Sequence, residues 1–221
     1  MTRFRFCKEG SAVYLSHLDM MRMFQRAFRR AGIEIAMTKG YNPHDFVSIA
    51  LPLPVGMQSQ CEILDCRLAP GAPEPAEAAQ LLNHAGFPDG IRVLEGYSSD
   101  RKIRELQRLS ARIRMEYDRG VPDGAAGRIA QLLQGDTLVV EKRTKRGPED
   151  RDIRPLLCRS AVHEGEEPGV LLIDCTVCVG EPSLNPELLV QAVRRYLPGD
   201  APDFAVVRRL EVYDAAGEIF R

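Results

Sequence analysis

The feature that most constrains the fold of this 221-residue chain is an order of predicted strands and helices that occurs twice. Period-two alternation predicts the strands, and apolar residues spaced three or four apart predict the helices. In the first copy, strands are predicted at 2–8, 33–37, 46–51, 61–68 and 91–97, with helices from 17 and at 75–85. In the second, strands are predicted at 112–118, 137–145, 170–179 and 204–213, with helices at 123–134 and 186–196. We interpret both copies as β-α-β-β-α-β, with one additional short strand in the first copy, which predicts an α+β protein of tandem ferredoxin-like modules with antiparallel sheets.

A polar, charged segment separates the two copies. It reads SSDRKIRELQ at 98–107 and lacks the alternation seen on either side. The segment therefore predicts an N-terminal module over 1–100, containing a basic helix and a GYNPH loop, and a C-terminal module over 108–221. Modules of this length are near the lower end of typical domain size.

The first strands of the two copies alternate basic with apolar residues. Arg3 and Arg5 take the basic positions in one, and Arg112 and Arg114 take them in the other. Alternation predicts that the apolar side faces the helices and the arginines face the open side of the sheet. Arginine suits a strand position that faces solvent, and the same sheet face holds RNA in some tandem modules, so both interpretations stay open. Paired aromatic residues for base stacking are missing from the predicted open sheet face, so sequence-specific stacking is not supported.

The predicted helix after Ser16 carries one apolar and one cationic face. Ser16 and Asp19 have the spacing of an N-terminal capping box. The apolar stripe consists of Leu18, Met21, Phe24, Phe28 and Ala31. The arginines off this stripe are Arg22, Arg26, Arg29 and Arg30. They could form a solvated face or bind an anion.

The loop that follows this helix favours the anion-binding interpretation. Its candidate contact residues are Lys39, Tyr41, Asn42 and His44. The glycine, asparagine and proline in the same loop indicate a shaped turn, and shaped loops often carry function.

The distribution of charge along the chain indicates more about its partner than the net charge of −1 does. Residues 1–60 carry eight Lys/Arg against four Asp/Glu, a net of +4, and residues 101–146 carry twelve against six, a net of +6. Between them, residues 61–100 carry two against seven, a net of −5. Basic blocks of this kind predict a polyanionic partner if they form a single surface. We predict a second charged loop at 142–154 and regard its Lys145, Arg146 and Arg154 as further candidates for phosphate contact.

The cysteines and the hydropathy pattern exclude several classes of protein. Cys175 and Cys178 form a CxxC within a predicted strand, where an offset of three directs the side chains to opposite faces. We therefore predict no metal site, no iron–sulfur cluster and no other cofactor. The chain has no apolar run of the roughly 18 residues that span a membrane, and its first residues do not resemble a secretory signal. We expect reduced thiols, a cytoplasmic location and no membrane partner.

Three motifs carry a family resemblance: YLSHLDMMRMFQRAFRRAG, KGYNPHDFVSIALPLPVG and KRGPEDRDIRPLL. They resemble a bacterial family of unknown function that is fused to, or encoded beside, radical SAM proteins with a cobalamin-type domain. In that family the loop usually reads Gly-Phe-Asn/His-Pro-His-Pro-Lys, whereas Asp45 and Phe46 stand here where proline and lysine are usual. The resemblance implies a partner enzyme that acts on RNA or on the translation machinery. At the level of architecture, the tandem fold also resembles CRISPR-repeat-processing endoribonucleases.

Three functions are compatible with these observations. The one we favour is a noncatalytic RNA-binding accessory module that presents a tRNA- or rRNA-like substrate to a radical SAM partner. The alternatives are a metal-independent endoribonuclease, in which His44 and His17 share acid and base roles, and a protein-only docking subunit of the radical SAM partner. The predicted RNA-contacting residues are Arg3, Arg5, Arg22, Arg26, Arg29, Arg30, Lys39, Tyr41, Asn42, His44, Arg112, Arg114, Lys145, Arg146 and Arg154.

Overall fold

The computed structural model describes residues 1–38, 41, 43–144 and 147–221, with the side chains of 142–144 excepted. Its strands are β1 (Thr2–Lys8), β2 (Val47–Ile49), β3 (Gln58–Cys66), β4 (Ile91–Ser98), β5 (Arg108–Glu116), β6 (Val139–Thr144), β7 (Gly147–Asp152), β8 (Leu157–Glu164), β9 (Val170–Cys178) and β10 (Phe204–Tyr213). Its α-helices are α1 (His17–Arg30), α2 (Pro75–His84), α3 (Ala125–Gln134) and α4 (Glu187–Tyr196). Short 3-10 helices lie at Gly10–Tyr14, Ile103–Glu105, Arg154–Leu156 and Pro198–Asp200.

The chain divides into two compact units, Met1–Ile103 with Arg221, and Arg104–Phe220. In the first unit the sheet order is β4-β1-β3-β2, and each of these neighbours pairs antiparallel. Helices and antiparallel sheets confirm the predicted α+β class. None of the helices in the described ranges is long and apolar enough to cross a bilayer.

Helix α1 closes the core of the first unit because its apolar stripe packs on β1. The rings of Phe6 and Phe24 lie 4.8 Å apart edge to face, and those of Phe4 and Phe28 lie 5.8 Å apart. The predicted stripe was wrong at its first turn, since the side chain of Leu18 is exposed and that of Met20 is buried. Met20 occupies the inward side of the first turn, next to Phe6 of β1, so position 18 lies on another side of the helix and meets solvent.

The N-terminus of α1 is capped as the sequence predicted. The Ser16 hydroxyl oxygen accepts a hydrogen bond from the Asp19 backbone N–H at 3.2 Å, and the hydroxyl donates to the Asp19 carboxylate at 2.6 Å. Because this cap satisfies a free backbone donor, we expect Ser16→Ala to lower the free energy of unfolding by about 1 kcal/mol. Urea unfolding monitored by circular dichroism measures the loss. Ser16→Asp, which keeps an acceptor, should recover most of it, and equal losses in the two variants would contradict the cap.

The predicted strand at 33–37 is wrong. This segment forms only two isolated bridges, Ile35 with Leu68 and Met37 with Asp45. After the Gly32 turn, where φ is 67°, its backbone bonds to two different segments, since Ala36 donates to the Arg67 carbonyl and accepts from the Phe46 N–H, and neither pairing is long enough to form a strand. The strand predicted at 46–51 is shorter in the structure, as β2, and pairs with β3 from Val47 opposite Cys66.

The second unit has the sheet order β10-β5-β9-β8, again with antiparallel neighbours. Two predictions are wrong here. Residues 142–154 do not form one charged loop, because β6 and β7 pair as a separate two-stranded sheet. The strand beside β9 is β8, not 137–145. Strand β8 was not predicted from the sequence. It is the last strand of the sheet and most of its residues are exposed, so they do not alternate between buried apolar and exposed polar positions.

Candidate nucleic-acid interface

Three arginines form an exposed row on α1. Arg22, Arg26 and Arg29 lie four and three residues apart, which places them on one side of the helix. The side chains of Arg22 and Arg29 are 67% and 77% exposed, and Arg26 is exposed as well. We call these three residues the α1 arginine face. The helix buries its opposite side, so the guanidinium groups cannot reach the core and remain available to a ligand.

Nearby carboxylates neutralise this face only weakly. Arg22 lies 4.0 Å from Asp19 and Arg29 lies 3.9 Å from Asp45, both at the outer limit for an ion pair. Arg26 has no ion pair with any residue that the structure describes. The pKa of Asp19 is lowered chiefly by the hydrogen bond from the Ser16 hydroxyl, and Arg22 contributes least. Exposed pairs of this kind contribute about 0–1 kcal/mol, so a phosphate can displace them.

Arg30, the fourth predicted arginine, serves a structural purpose. Its guanidinium donates to the backbone oxygens of Ala85 at 2.8 Å and Gly86 at 2.6 Å. These two residues follow the last turn of α2, so Arg30 satisfies acceptors at the end of that helix. We therefore leave Arg30 out of the arginine face.

The turn after α1 is held together by Thr38 and His44. The Thr38 N–H donates to the His44 carbonyl at 2.7 Å, and the His44 N–H donates to the Thr38 hydroxyl oxygen at 3.1 Å. A third contact of 3.1 Å joins that hydroxyl to Nδ1 of His44. Tyr41 lies within this turn and is fully exposed, with a relative accessibility of 107%. Lys39 and Asn42, two further predicted contacts, lie outside the described residues.

A groove of about 430 Å³ lies between the end of α1 and this turn. Phe28 and Ile33, both buried, form its floor, and Arg29, Glu34 and Asp45 contribute charged groups. The 3.9 Å contact between Arg29 and Asp45 therefore joins the arginine face to the turn. Asp45 stands at the position where the resembling family usually has proline, and its carboxylate reduces the positive charge here.

The two candidate catalytic histidines do not form a pair. His17 begins α1, whereas His44 precedes Asp45, which contacts Arg29 near the other end of the helix. At 1.5 Å per residue, His17 and Arg29 are roughly 18 Å apart along the helix axis. An acid and a base that act on one ribose phosphate must both lie within hydrogen-bond reach of it. The geometry therefore does not support an endoribonuclease that uses this pair.

Arg3 is not an RNA contact, because it is 1% exposed. Its Nε lies 3.0 Å from Asp65, one NH group donates to the Ser99 hydroxyl at 2.8 Å, and the other donates to the Arg101 carbonyl. The segment after β4 therefore covers the sheet position that alternation predicted to be open. Arg5, two residues along β1, is half-buried.

The predicted arginines of the second unit are largely engaged by protein groups. Arg112 binds Asp174 through two hydrogen bonds of 2.7 and 2.9 Å, which lower the pKa of that carboxyl. Arg114 binds Glu116 and Glu167, at 2.8 and 2.6 Å. Arg154 donates to the backbone oxygens of Gly135 and Leu157, both at 2.9 Å. Lys145 and Arg146 lie outside the described residues.

Arg159, on the sheet face of the second unit, was not among the residues predicted from the sequence. This exposed residue and Arg112 line a groove of about 320 Å³, together with Asp174 and Thr176. Arg159 lies opposite Thr176 in the register of β8 and β9. If β8 had been predicted as a strand, the side chain of Arg159 would have been assigned to this face.

Comparisons with known proteins give a family and a fold. Residues 2–186 match the model of a family described as "Uncharacterized protein conserved in bacteria (DUF2344)". No curated protein matches the chain. A chain from a "Crystal Structure of a Cbf5-Nop10-Gar1 Complex" is similar at a TM-score of 0.53 and 11% identity, over 96% of this chain and 48% of that one. A chain from a "Structure of H/ACA RNP bound to a substrate RNA containing 2'-deoxyuridine" has a TM-score of 0.48 and 10% identity, over 94% of this chain and 46% of that one. The protein spans about half the length of these solved chains, and at 11% identity the likeness to the first of them concerns the fold alone.

Proposed function

The chain belongs to a family of uncharacterised proteins conserved in bacteria, and we propose that it is a noncatalytic RNA-binding protein. The α1 arginine face contacts backbone phosphates, and the turn from Thr38 to Asp45 contacts unpaired bases. The observation that carries this proposal is the exposed row of Arg22, Arg26 and Arg29, together with the fully exposed Tyr41 in the turn that Asp45 joins to Arg29. Guanidinium groups bind phosphate oxygens through paired N–H donors, and they do so without reading the base sequence.

Tyr41 favours single-stranded RNA over a duplex. A fully exposed tyrosine ring leaves apolar surface in water, and stacking on a base removes that surface from water. Bases in loops and single strands are free to stack on aromatic side chains, whereas paired bases are not. A single aromatic residue of this kind provides stacking with little sequence preference.

We expect Tyr41→Ala to weaken binding to a short single-stranded RNA by about tenfold, since stacking contributes ~1–3 kcal/mol per base. Tyr41→Phe keeps the ring and should bind as the wild type does. Fluorescence anisotropy with a labelled RNA at fixed salt concentration measures both affinities. Equal losses in the two variants would assign the effect to the hydroxyl group, and no loss in either would remove Tyr41 from the interface.

We also propose that each unit is a ferredoxin-like module. The order β4-β1-β3-β2 in the first unit and β10-β5-β9-β8 in the second support this, because each has the same arrangement of antiparallel neighbours. The pair β6–β7 is then an insertion in the second module. In the first module, the burial of Arg3 argues for RNA contact through α1 and its following turn, not through the sheet face.

The motif resemblance supports a further step, in which the protein presents tRNA- or rRNA-like RNA to a radical SAM enzyme. Affinity purification from bacterial cells, with and without nuclease treatment, tests this step. Recovery of a radical SAM enzyme together with RNA that crosslinks to α1 is the expected result. Recovery of the enzyme without crosslinked RNA would favour a protein-only docking subunit. RNA without a radical SAM enzyme would leave RNA binding in place and overturn the presentation step.

A further inference from the structure

Two cysteines of the second unit have their sulfur atoms within contact distance. Sγ of Cys158 on β8 lies 3.5 Å from Sγ of Cys178 on β9, and both thiols are free. Cys158 is exposed and Cys178 is half-buried. The CxxC spacing of Cys175 and Cys178 is unrelated to this pair, because Cys175 is buried on the other face of β9.

A β-bulge brings the two thiols together. Leu157 pairs with Val177 and Arg159 pairs with Thr176, so Cys158 is an extra residue between two consecutive ladder positions. A bulge redirects the side chain of the extra residue and bends its strand. In a regular ladder Cys158 would lie opposite Thr176, and the bulge instead brings it next to Cys178.

We propose that Cys158 and Cys178 form a thiol–disulfide exchange site, which low-molecular-weight disulfides oxidise to an intramolecular disulfide. The Cys158 thiolate attacks one sulfur of the external disulfide and expels the first small thiolate. The Cys178 thiolate then attacks Sγ of Cys158 and expels the second. Two protein thiols lose two electrons, one external disulfide becomes two thiols, and the two cysteine protons pass to the two leaving groups.

The remaining cysteines are poor competitors for this exchange. Cys7, Cys61, Cys66 and Cys175 are all buried. Burial raises the pKa of Cys66 and of Cys175 to about 12, which removes their thiolates at neutral pH. Cys158 is an exposed residue and has a second thiol 3.5 Å away, in position to complete the exchange. The disulfide would fix β8, the last strand of its sheet, to β9 by joining residues that are 20 positions apart.

Treatment of the full-length protein with oxidised glutathione tests this site. The reaction is best run at alkaline pH, because burial and the neighbouring Cys178 raise the pKa of Cys158, although Arg108 opposes them. After denaturation, free thiols should fall from the six in the sequence to four. Peptide mapping without reductant should recover one crosslink, between Cys158 and Cys178, and dithiothreitol should remove it.

The single variants distinguish the two roles. In Cys178→Ser, the mixed disulfide with glutathione should accumulate on Cys158, because no second thiol completes the exchange. In Cys158→Ser, adducts should form at least tenfold more slowly, because the half-buried Cys178 is the resolving thiol. Six free thiols after treatment of the wild type, or a crosslink between any other pair, would overturn the proposal. The result is independent of RNA binding, which uses residues of the first unit.

Discussion

Replacement of Arg22, Arg26 and Arg29 by alanine should weaken RNA binding about a hundredfold at ~0.1 M salt. In single strands each neutralised phosphate contributes about 0.7 to the slope of log affinity against log salt, so three lost contacts reduce the slope by about 2. Because the logarithm of ~0.1 M is −1, a slope reduced by about 2 lowers the affinity at this salt concentration by about two powers of ten. Anisotropy titrations at several salt concentrations measure both quantities. The fold should persist, because all three side chains point into solvent and the helix core is unchanged.

A matched control separates local contacts from overall charge. Arg92, Arg119 and Arg194 are exposed and have no ion pair with the residues that the structure describes. Their triple alanine variant loses the same three charges at positions outside α1, and Arg194 is itself on a helix. We expect this variant to bind RNA within about threefold of the wild type, because its positions make no direct phosphate contact and long-range charge is screened by salt. Equal losses in the two triple variants would show that RNA binding depends on net charge. The proposed contact between RNA and the α1 arginine face would then be wrong.

Arg3→Ala should lower the free energy of unfolding of the first unit by about 3–5 kcal/mol, the usual result of removing one partner of a buried ion pair. The substitution leaves Asp65, whose side chain is 12% exposed, without its guanidinium partner. It also removes the donors to Ser99 and to the Arg101 carbonyl. Native-state hydrogen exchange of the β1 amides in increasing urea measures the loss within this unit.

Arg112→Ala is the corresponding control, because Arg112 begins the same alternation of arginine and apolar residues on β5 that Arg3 begins on β1. Its pair with Asp174 is exposed, at 46% and 34% for the two side chains. Pairs of this kind contribute about 0.2–1 kcal/mol, so the loss at β5 should be at most a third of that at β1. Circular dichroism at low temperature confirms that both variants fold. A similar loss in the two variants would show that burial does not distinguish these arginines.

Local patterns were enough to predict α1. A cap residue, a carboxylate three positions later and apolar residues on one face act within a few turns of a helix. The exposed arginines followed from the same pattern, since they are the residues off the stripe. The paired thiols of Cys158 and Cys178 were beyond this reasoning, because they depend on a strand with little burial and on an irregular register.

The amino-acid order by itself determined the α+β class, the capped basic helix and the alternation of arginine with apolar residues in β1 and β5. Only the tertiary structure decided what each arginine contacts. Arg3 and Arg112 occupy equivalent positions in their local sequences, yet the segment containing Ser99 and Arg101 buries the first, whereas the second is exposed. Burial depends on residues distant in sequence that fold over a site, and a period-two pattern reports only the side of the strand on which a residue lies.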